Sequence, residues 1–187
     1  MLIYVLLSAV VLLLFLAPFF QFIQNKPGTL LSDPVLNAIP AYDLSIPIFI
    51  LIYGMVIVTI IINYSNPHFM LVALATYCTV NYFRIISIYL FTLESPHGLI
   101  LLRDPFVSLI AYENTFVKDL FFSGHIATLT VLIFPEPKPV FRYLKLVVTL
   151  IVAVMLLIQH IHYTIDILAA PLFSYAAYRL INKGLGK

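Results

Sequence analysis

Two short segments of the chain carry residue types that can do chemistry together. One reads Lys118-Asp119-Leu120-Phe121-Phe122-Ser123-Gly124-His125, the other His160-Ile161-His162-Tyr163-Thr164-Ile165-Asp166. His162 and Asp166 are four residues apart, so on a helix they share a face. A carboxylate in that place accepts a proton from one imidazole nitrogen, fixes the tautomer and leaves the other nitrogen a better nucleophile. His125 can serve as the partner acid. Ser123 and Gly124 offer a hydroxyl and a bare backbone N–H, and the start of a helix favours an anion. The chemistry implied is phosphoester transfer at a histidine.

The elements that must hold these residues lie in lipid. The chain has 187 residues, of which 63% are hydrophobic and only 10% charged. A soluble domain carries roughly 25% charged residues, so this chain has too little polar surface to face water all round. Its length suits one membrane domain spanning 1–187. A net charge of +2 gives no reason to expect nucleic acid as a partner. The lone Cys78 sits in an apolar run and reads as a small buried hydrophobe.

A membrane helix needs about 20 apolar residues. Six such stretches are expected, at roughly 2–23, 45–63, 68–92, 119–135, 141–160 and 162–182. The first is too long for the core of a signal peptide, has no basic residue ahead of it, and reads as a true span. Between the spans, 24–44 is a loop or interfacial segment rich in Pro, Gly, Asp and Asn, and 93–118 is the longest polar stretch. With six crossings, Lys138, Arg142, Lys145, Arg179, Lys183 and Lys187 fall on the side of both termini, which the positive-inside rule assigns to the cytoplasm. Lys26, Arg103 and Lys118 fall on the other side, with Arg84 in the membrane near them. All acidic residues but Glu136 also gather there. Acidic residues set topology only weakly, so a chemical site on the outer or lumenal face is the reading that accounts for them. The fourth span begins on that face and the fifth ends there, which returns His160 and His162 to the depth of His125. Ionisable groups at membrane depth are costly and mark function by default.

Taken together, Asp119-x3-Ser123-Gly124-His125 and His162-Tyr163-Thr164-x-Asp166 resemble the sphingomyelin synthase branch of the type 2 phosphatidic acid phosphatase (PAP2) superfamily, over roughly 78–182. The resemblance implies an all-α membrane bundle of six helices and a metal-independent enzyme with no cofactor. It assigns His162 as the nucleophile that becomes a phosphohistidine, and Asp166 as the group that orients it. His125 is then the acid for the leaving group and the base for the acceptor. Asp119 matches the family motif, though it can also cap the fourth span. Arg84 has a counterpart in the synthases, and is either a phosphate contact or one half of an intramembrane ion pair.

The chain departs from the hydrolytic phosphatases of that superfamily. Met155 and Leu156 stand where those enzymes carry Ser-Arg ahead of the second histidine, and no Lys and Arg-Pro motif precedes the fourth span. The arginines that grip a dianionic monoester are therefore missing. Asp119, Asp166 and Glu94, at the end of the third span, instead favour a phosphodiester with a cationic headgroup. Phe121, Phe122 and Tyr163 can add cation–π contact to it. A metal held by His160, His162 and Asp166 is disfavoured, because an H-x-H pair on a helix splays its ligands. His160 is then a supporting or interfacial residue, and Arg103 and Asp104 pair with each other or meet headgroups.

The sequence thus reads as a lipid phosphotransferase that moves a phospho-headgroup from a phospholipid to a lipid alcohol. A lipid phosphatase or phospholipase C-like hydrolase, with water as acceptor, is the alternative in the same fold. From another class, a transporter or membrane assembly protein can use a buried His–Asp pair as a proton relay, but a relay has no need of Ser-Gly-His at a helix start.

Overall fold

The computed structural model describes residues 2–104 and 116–186. Part of the expected 93–118 stretch, and Lys187, lie outside the described residues. The described chain forms helices α1 (Leu2–Asn25), α2 (Pro34–Ala38), α3 (Ser45–Asn63), α4 (Pro67–Leu90), α5 (Gly124–Val131), α6 (Pro139–Ile158) and α7 (Thr164–Gly184). Prolines open α2, α4 and α6, where the missing N–H is not needed. Asp33, Asn66 and Ser123 cap α2, α4 and α5 by accepting backbone N–H groups. Among the described residues the only extended pairing is an isolated bridge between Thr29 and Leu93.

Four of the described helices, α1, α3, α4 and α6, are long and apolar enough to cross a membrane. The expectation of six apolar spans is therefore met only in part. The fourth stretch, 119–135, is helical only over the eight residues of α5, about 12 Å against a hydrocarbon core of about 30 Å. The reason is local: Ser123 starts the helix late, and Pro135 and Pro137 stop it early. Helix α7 has 21 residues, but Asp166, Arg179 and its tyrosines dilute its apolar character.

These two less apolar elements are the inner ones. Helix α5 buries Ile126, Ala127, Leu129, Thr130 and Val131. Helix α7 turns Asp166, Ala170, Ser174 and Ala177 inward on one stripe. Small residues on that stripe let backbones approach, and the Thr130 and Ser174 hydroxyls are hydrogen-bonded to each other across the contact at 2.9 Å. Helix α1 is peripheral. It meets α4 through Phe19, Ile23 and Ile88 and leaves residues such as Leu13 exposed. Cys78 is buried and unpaired, as its apolar neighbours led us to expect.

At the end of the bundle far from His125, the turn after α5 carries Glu136. Its carboxylate is fully buried and accepts from Lys145 Nζ on α6 at 2.5 Å and from Asn63 Nδ2 on α3 at 3.1 Å. Burial alone would raise the Glu136 pKa, but the Lys145, Lys138 and Asn63 hydrogen bonds outweigh it and hold the carboxyl below its ordinary value. Lys145 and Arg142 counted toward the cationic face in the sequence. Lys145 is instead locked inside, and the Arg142 guanidinium donates to the Glu136 carbonyl.

Removing one partner of a buried pair strands the other charge. Lys145→Met is expected to lower stability by about 3–5 kcal/mol. The double variant Lys145→Met/Glu136→Gln, which keeps the Asn63 bond, is expected to recover most of it. Unfolding of the purified protein in detergent measures both; equal losses for the single and double variants would refute the assignment.

Candidate active site

The two motifs meet because α5 and α7 begin side by side. The Ser123 backbone N–H donates to the Asp166 carbonyl at 3.1 Å. Each helix start is closed by its own residues. The Ser123 hydroxyl accepts from Ile126 N–H at 3.4 Å, and Asp166 Oδ2 accepts from Tyr163 N–H at 3.0 Å. Asp33 secures α7 from outside, accepting from Thr164 N–H at 2.6 Å and from the Thr164 hydroxyl at 3.1 Å. These bonds outweigh the desolvation that would raise it and hold the Asp33 carboxyl below the usual range.

In the resulting arrangement the His125 and His162 rings are 5.7 Å apart, centre to centre, and inclined at 65°. His162 and Asp166 are almost fully buried, and His162 Nδ1 lies 3.4 Å from Asp166 Oδ2. That is within ion-pair reach, but it is not aligned as a hydrogen bond. Among the described residues, five buried side-chain polar atoms have no hydrogen-bond partner in the protein. Four of them are His125 Nδ1, His162 Nδ1 and Nε2, and Asp166 Oδ1. Buried polar atoms are nearly always paired, so four together mark a place built to meet a polar ligand.

Arg84 flanks this place from α4. Its Nε donates to the Phe122 carbonyl at 3.1 Å, and its terminal nitrogens reach Asp119, as an ion pair, and Asn81. The guanidinium lies against Gly124: a Cβ there would come within 2.7 Å of Arg84 Cζ. Glycine is needed for this close approach. The alternatives left open by the sequence narrow accordingly. Asp119 does not cap α5, since Ser123 does; it partners Arg84. The Ser123 hydroxyl is engaged as that cap.

Other expected site residues are used elsewhere. Glu94 pairs with Lys118 at 2.7 Å and accepts from Gly28 N–H at 2.9 Å, fastening two outer segments. The Lys118 and Gly28 hydrogen bonds hold its carboxyl below the usual range. The Tyr163 ring is buried with Leu36, Leu93 and Leu120, and its hydroxyl donates to the Glu94 carbonyl at 3.0 Å. Phe122 is fully buried and stacks on Phe173 at 4.5 Å. The cation–π role expected of Tyr163 and Phe122 is therefore closed to both rings, because the core and the outer loops claim them. His160 turns its two nitrogens to the carbonyls of His97 and Ile39, at 3.0 and 3.1 Å, away from a shared centre with His162.

Several residues of the site were not anticipated. The Phe49 ring lies 6.1 Å from the His125 ring, and the Tyr53 hydroxyl donates to Asp104 at 2.6 Å. With Asn81, Arg84, Asp119, Gly124 and His125, they line a cavity of about 540 Å³ between α3, α4 and α5. The signal available for Asp33 was its place before Pro34, a capping pattern; its reach to Thr164 has no local trace.

No curated protein matches the chain. The segment that holds both histidines, from Lys118 to Lys183, does match a family model, that of the PAP2 superfamily C-terminal region, so residues 118–183 are similar to the part of that superfamily its model describes.

Proposed function

We propose that the protein is a membrane-embedded lipid phosphotransferase, with His162 as nucleophile, His125 as acid and base, and Asp166 as the group that orients His162. The observation that carries the reading is the gathering of four unpartnered polar atoms, three on the neighbouring imidazoles of His125 and His162 and one on the Asp166 carboxylate, in a segment matching the PAP2 superfamily C-terminal model. Asp166 lies beside Nδ1 of His162, which leaves Nε2 to attack phosphorus. As the N–P bond forms, the P–O bond to the diacylglycerol oxygen breaks, and protonated His125 gives that oxygen its proton. In the second half, an acceptor hydroxyl loses its proton to His125 while its oxygen displaces Nε2. The N–P bond breaks and both histidines return to their starting state.

The sphingomyelin synthase-like version, with a lipid alcohol as acceptor and a phosphodiester as donor, rests on charge. Arg84 is already engaged by Asp119, so the pair offers little net positive charge to a dianionic monoester. A phosphodiester carries one negative charge, which a guanidinium already shared with Asp119 suits better than it suits a dianion. The site then lies at the end of the bundle we assign to the outer or lumenal face, with both termini in the cytoplasm. Hydrolysis by water is the runner-up for the second half-reaction.

Wild-type protein given labelled phosphatidylcholine should yield an acid-labile phosphoenzyme, and His162→Ala none. With a phosphodiester whose leaving group is nitrophenolate, His125→Ala should still form the phosphoenzyme and discharge it roughly 10²–10⁴-fold more slowly. Normal turnover by His162→Ala would end the proposal.

Gly124→Ala tests the approach of Arg84. The added methyl should push the guanidinium aside and lower kcat/KM about ten-fold or more, with the thermal midpoint little changed. Unaltered kinetics would mean that Arg84 serves the fold alone.

A further inference from the structure

The cavity, which His125 lines and His162 does not, extends far beyond that ring. Each helix gives it one stripe: Phe49, Ile52, Val56 and Thr59 on α3; Arg84, Val80, Ala73 and Phe69 on α4; His125 and Thr128 on α5, continued by Leu132 at its C-terminal end. On α3 the stripe from 49 to 59 descends about 15 Å, and on α4 that from 84 to 69 about 22 Å. Half of the hydrocarbon core is about 15 Å, so the cavity reaches through one leaflet. It is polar near His125 and almost wholly apolar below. Ile60 and Tyr77 line it and are 46% and 42% exposed, which places a side opening between α3 and α4.

Its far end is anchored in an unusual way. Thr59, Phe69 and Leu132 form the floor, and each is held by the buried Glu136–Lys145 cluster. Lys145 Nζ donates to the Leu132 carbonyl at 3.0 Å and sits 5.1 Å over the Phe69 ring. Asn63 Nδ2 donates to the Thr59 carbonyl at 3.2 Å and to Glu136 Oε2 at 3.1 Å. Three floor residues from three helices thus share one ion pair that takes no part in the chemistry above. Thr59 also differs from its neighbours in type. Thr76, Thr79, Thr128, Thr130 and Thr149 all donate to the carbonyl four residues back, whereas the buried Thr59 hydroxyl makes no hydrogen bond within the protein.

We propose that this cavity is a slot for one acyl chain of the phospholipid donor, and that the floor held by Glu136 and Lys145 sets the longest chain that seats with its phosphate beside His125, at the cavity's upper end. The inference rests on the transferase reading for the identity of the headgroup end. The slot's own evidence is its depth, its polar-to-apolar gradient, its side opening and its anchored floor. A chain entering between α3 and α4 extends down the stripes until it meets Thr59, Phe69 and Leu132. Glu136 and Lys145 are positioning residues: they touch the floor and not the lipid.

The test is photo-cross-linking of the full chain in bilayers, using phosphatidylcholines with a diazirine at the tip of a palmitoyl or a decanoyl chain. Wild type and His162→Ala are compared, so that the readout does not depend on turnover. In both, the palmitoyl tip should mark Thr59, Met70 or Leu132, and the decanoyl tip should mark Tyr77 or Val80 higher up. Ala73→Phe should block the lower slot, move the palmitoyl marks upward and lower palmitoyl labelling about ten-fold relative to decanoyl. Lys145→Met/Glu136→Gln should let the palmitoyl tip mark residues past Leu132. Marks spread over lipid-facing residues such as Leu13 and Ile165, with no dependence on chain length, would overturn the slot even if a phosphoenzyme forms. Ordered marks without a phosphoenzyme would leave the slot standing and remove the transferase.

Discussion

The site depends on α5 and α7 starting at one depth, and the backbone bond from Ser123 N–H to the Asp166 carbonyl enforces this. In an apolar surrounding an unmade backbone bond is expensive, so the register of the two helices is not free to slide. Helix α5 is fixed with its N-terminus beside that of α7, and the first turn of α5 and the residues just before α7 carry His125 and His162 to within one ring-to-ring contact. Asp33 clamps the same helix start from the outer segment 24–44. A short helix that cannot cross the membrane by itself is what this geometry needs, since its task is to present one terminus.

The molecule divides its polar groups by partner. At one end Glu136, Lys145, Asn63 and Arg142 satisfy each other and the backbone, leaving a closed network. At the other end the outer segments are stitched together by Glu94 with Lys118, by Tyr163 and by His160. Between these closed networks, His125, His162 and Asp166 keep unpartnered atoms. Low-dielectric surroundings make satisfied networks rigid and unsatisfied groups energetic. The contrast separates the groups that hold the bundle from those that can meet a substrate.

Arg84 belongs to the satisfied set and yet lines the cavity beside His125. Three of its nitrogens bind Phe122, Asp119 and Asn81, which fixes the guanidinium under Gly124 beside the cavity. Its charge is shared with Asp119, so the field at the histidines is milder than that of a free arginine. Of the two roles that the sequence posed as a choice, the ion pair is the one formed in the structure.

Residue spacing alone suggested that His162 and Asp166 adjoin on one helix face; they do adjoin, at 3.4 Å, but His162 precedes α7, and the turn capped at Tyr163 rather than helix periodicity brings its ring to Asp166. Spacing also placed the histidine motifs at one end of the membrane elements, because apolar runs and their breaks are local properties. Four of the expected apolar spans appear as helices long and apolar enough to cross a membrane; 162–182 appears as the long but less apolar α7, and 119–135 is not a long helix, since capping by Ser123 and the downstream prolines override hydropathy there. The sequence equally marked Asp119 and Arg84 as costly residues in lipid, but not as each other's partner. Pairing across 35 positions, the withdrawal of Tyr163 and Phe122 into the core, the reach of Asp33 to Thr164 and the cavity beneath His125 arise from packing between helices. Local pattern fixes which face a side chain occupies; only the contact of distant helices decides what that face meets.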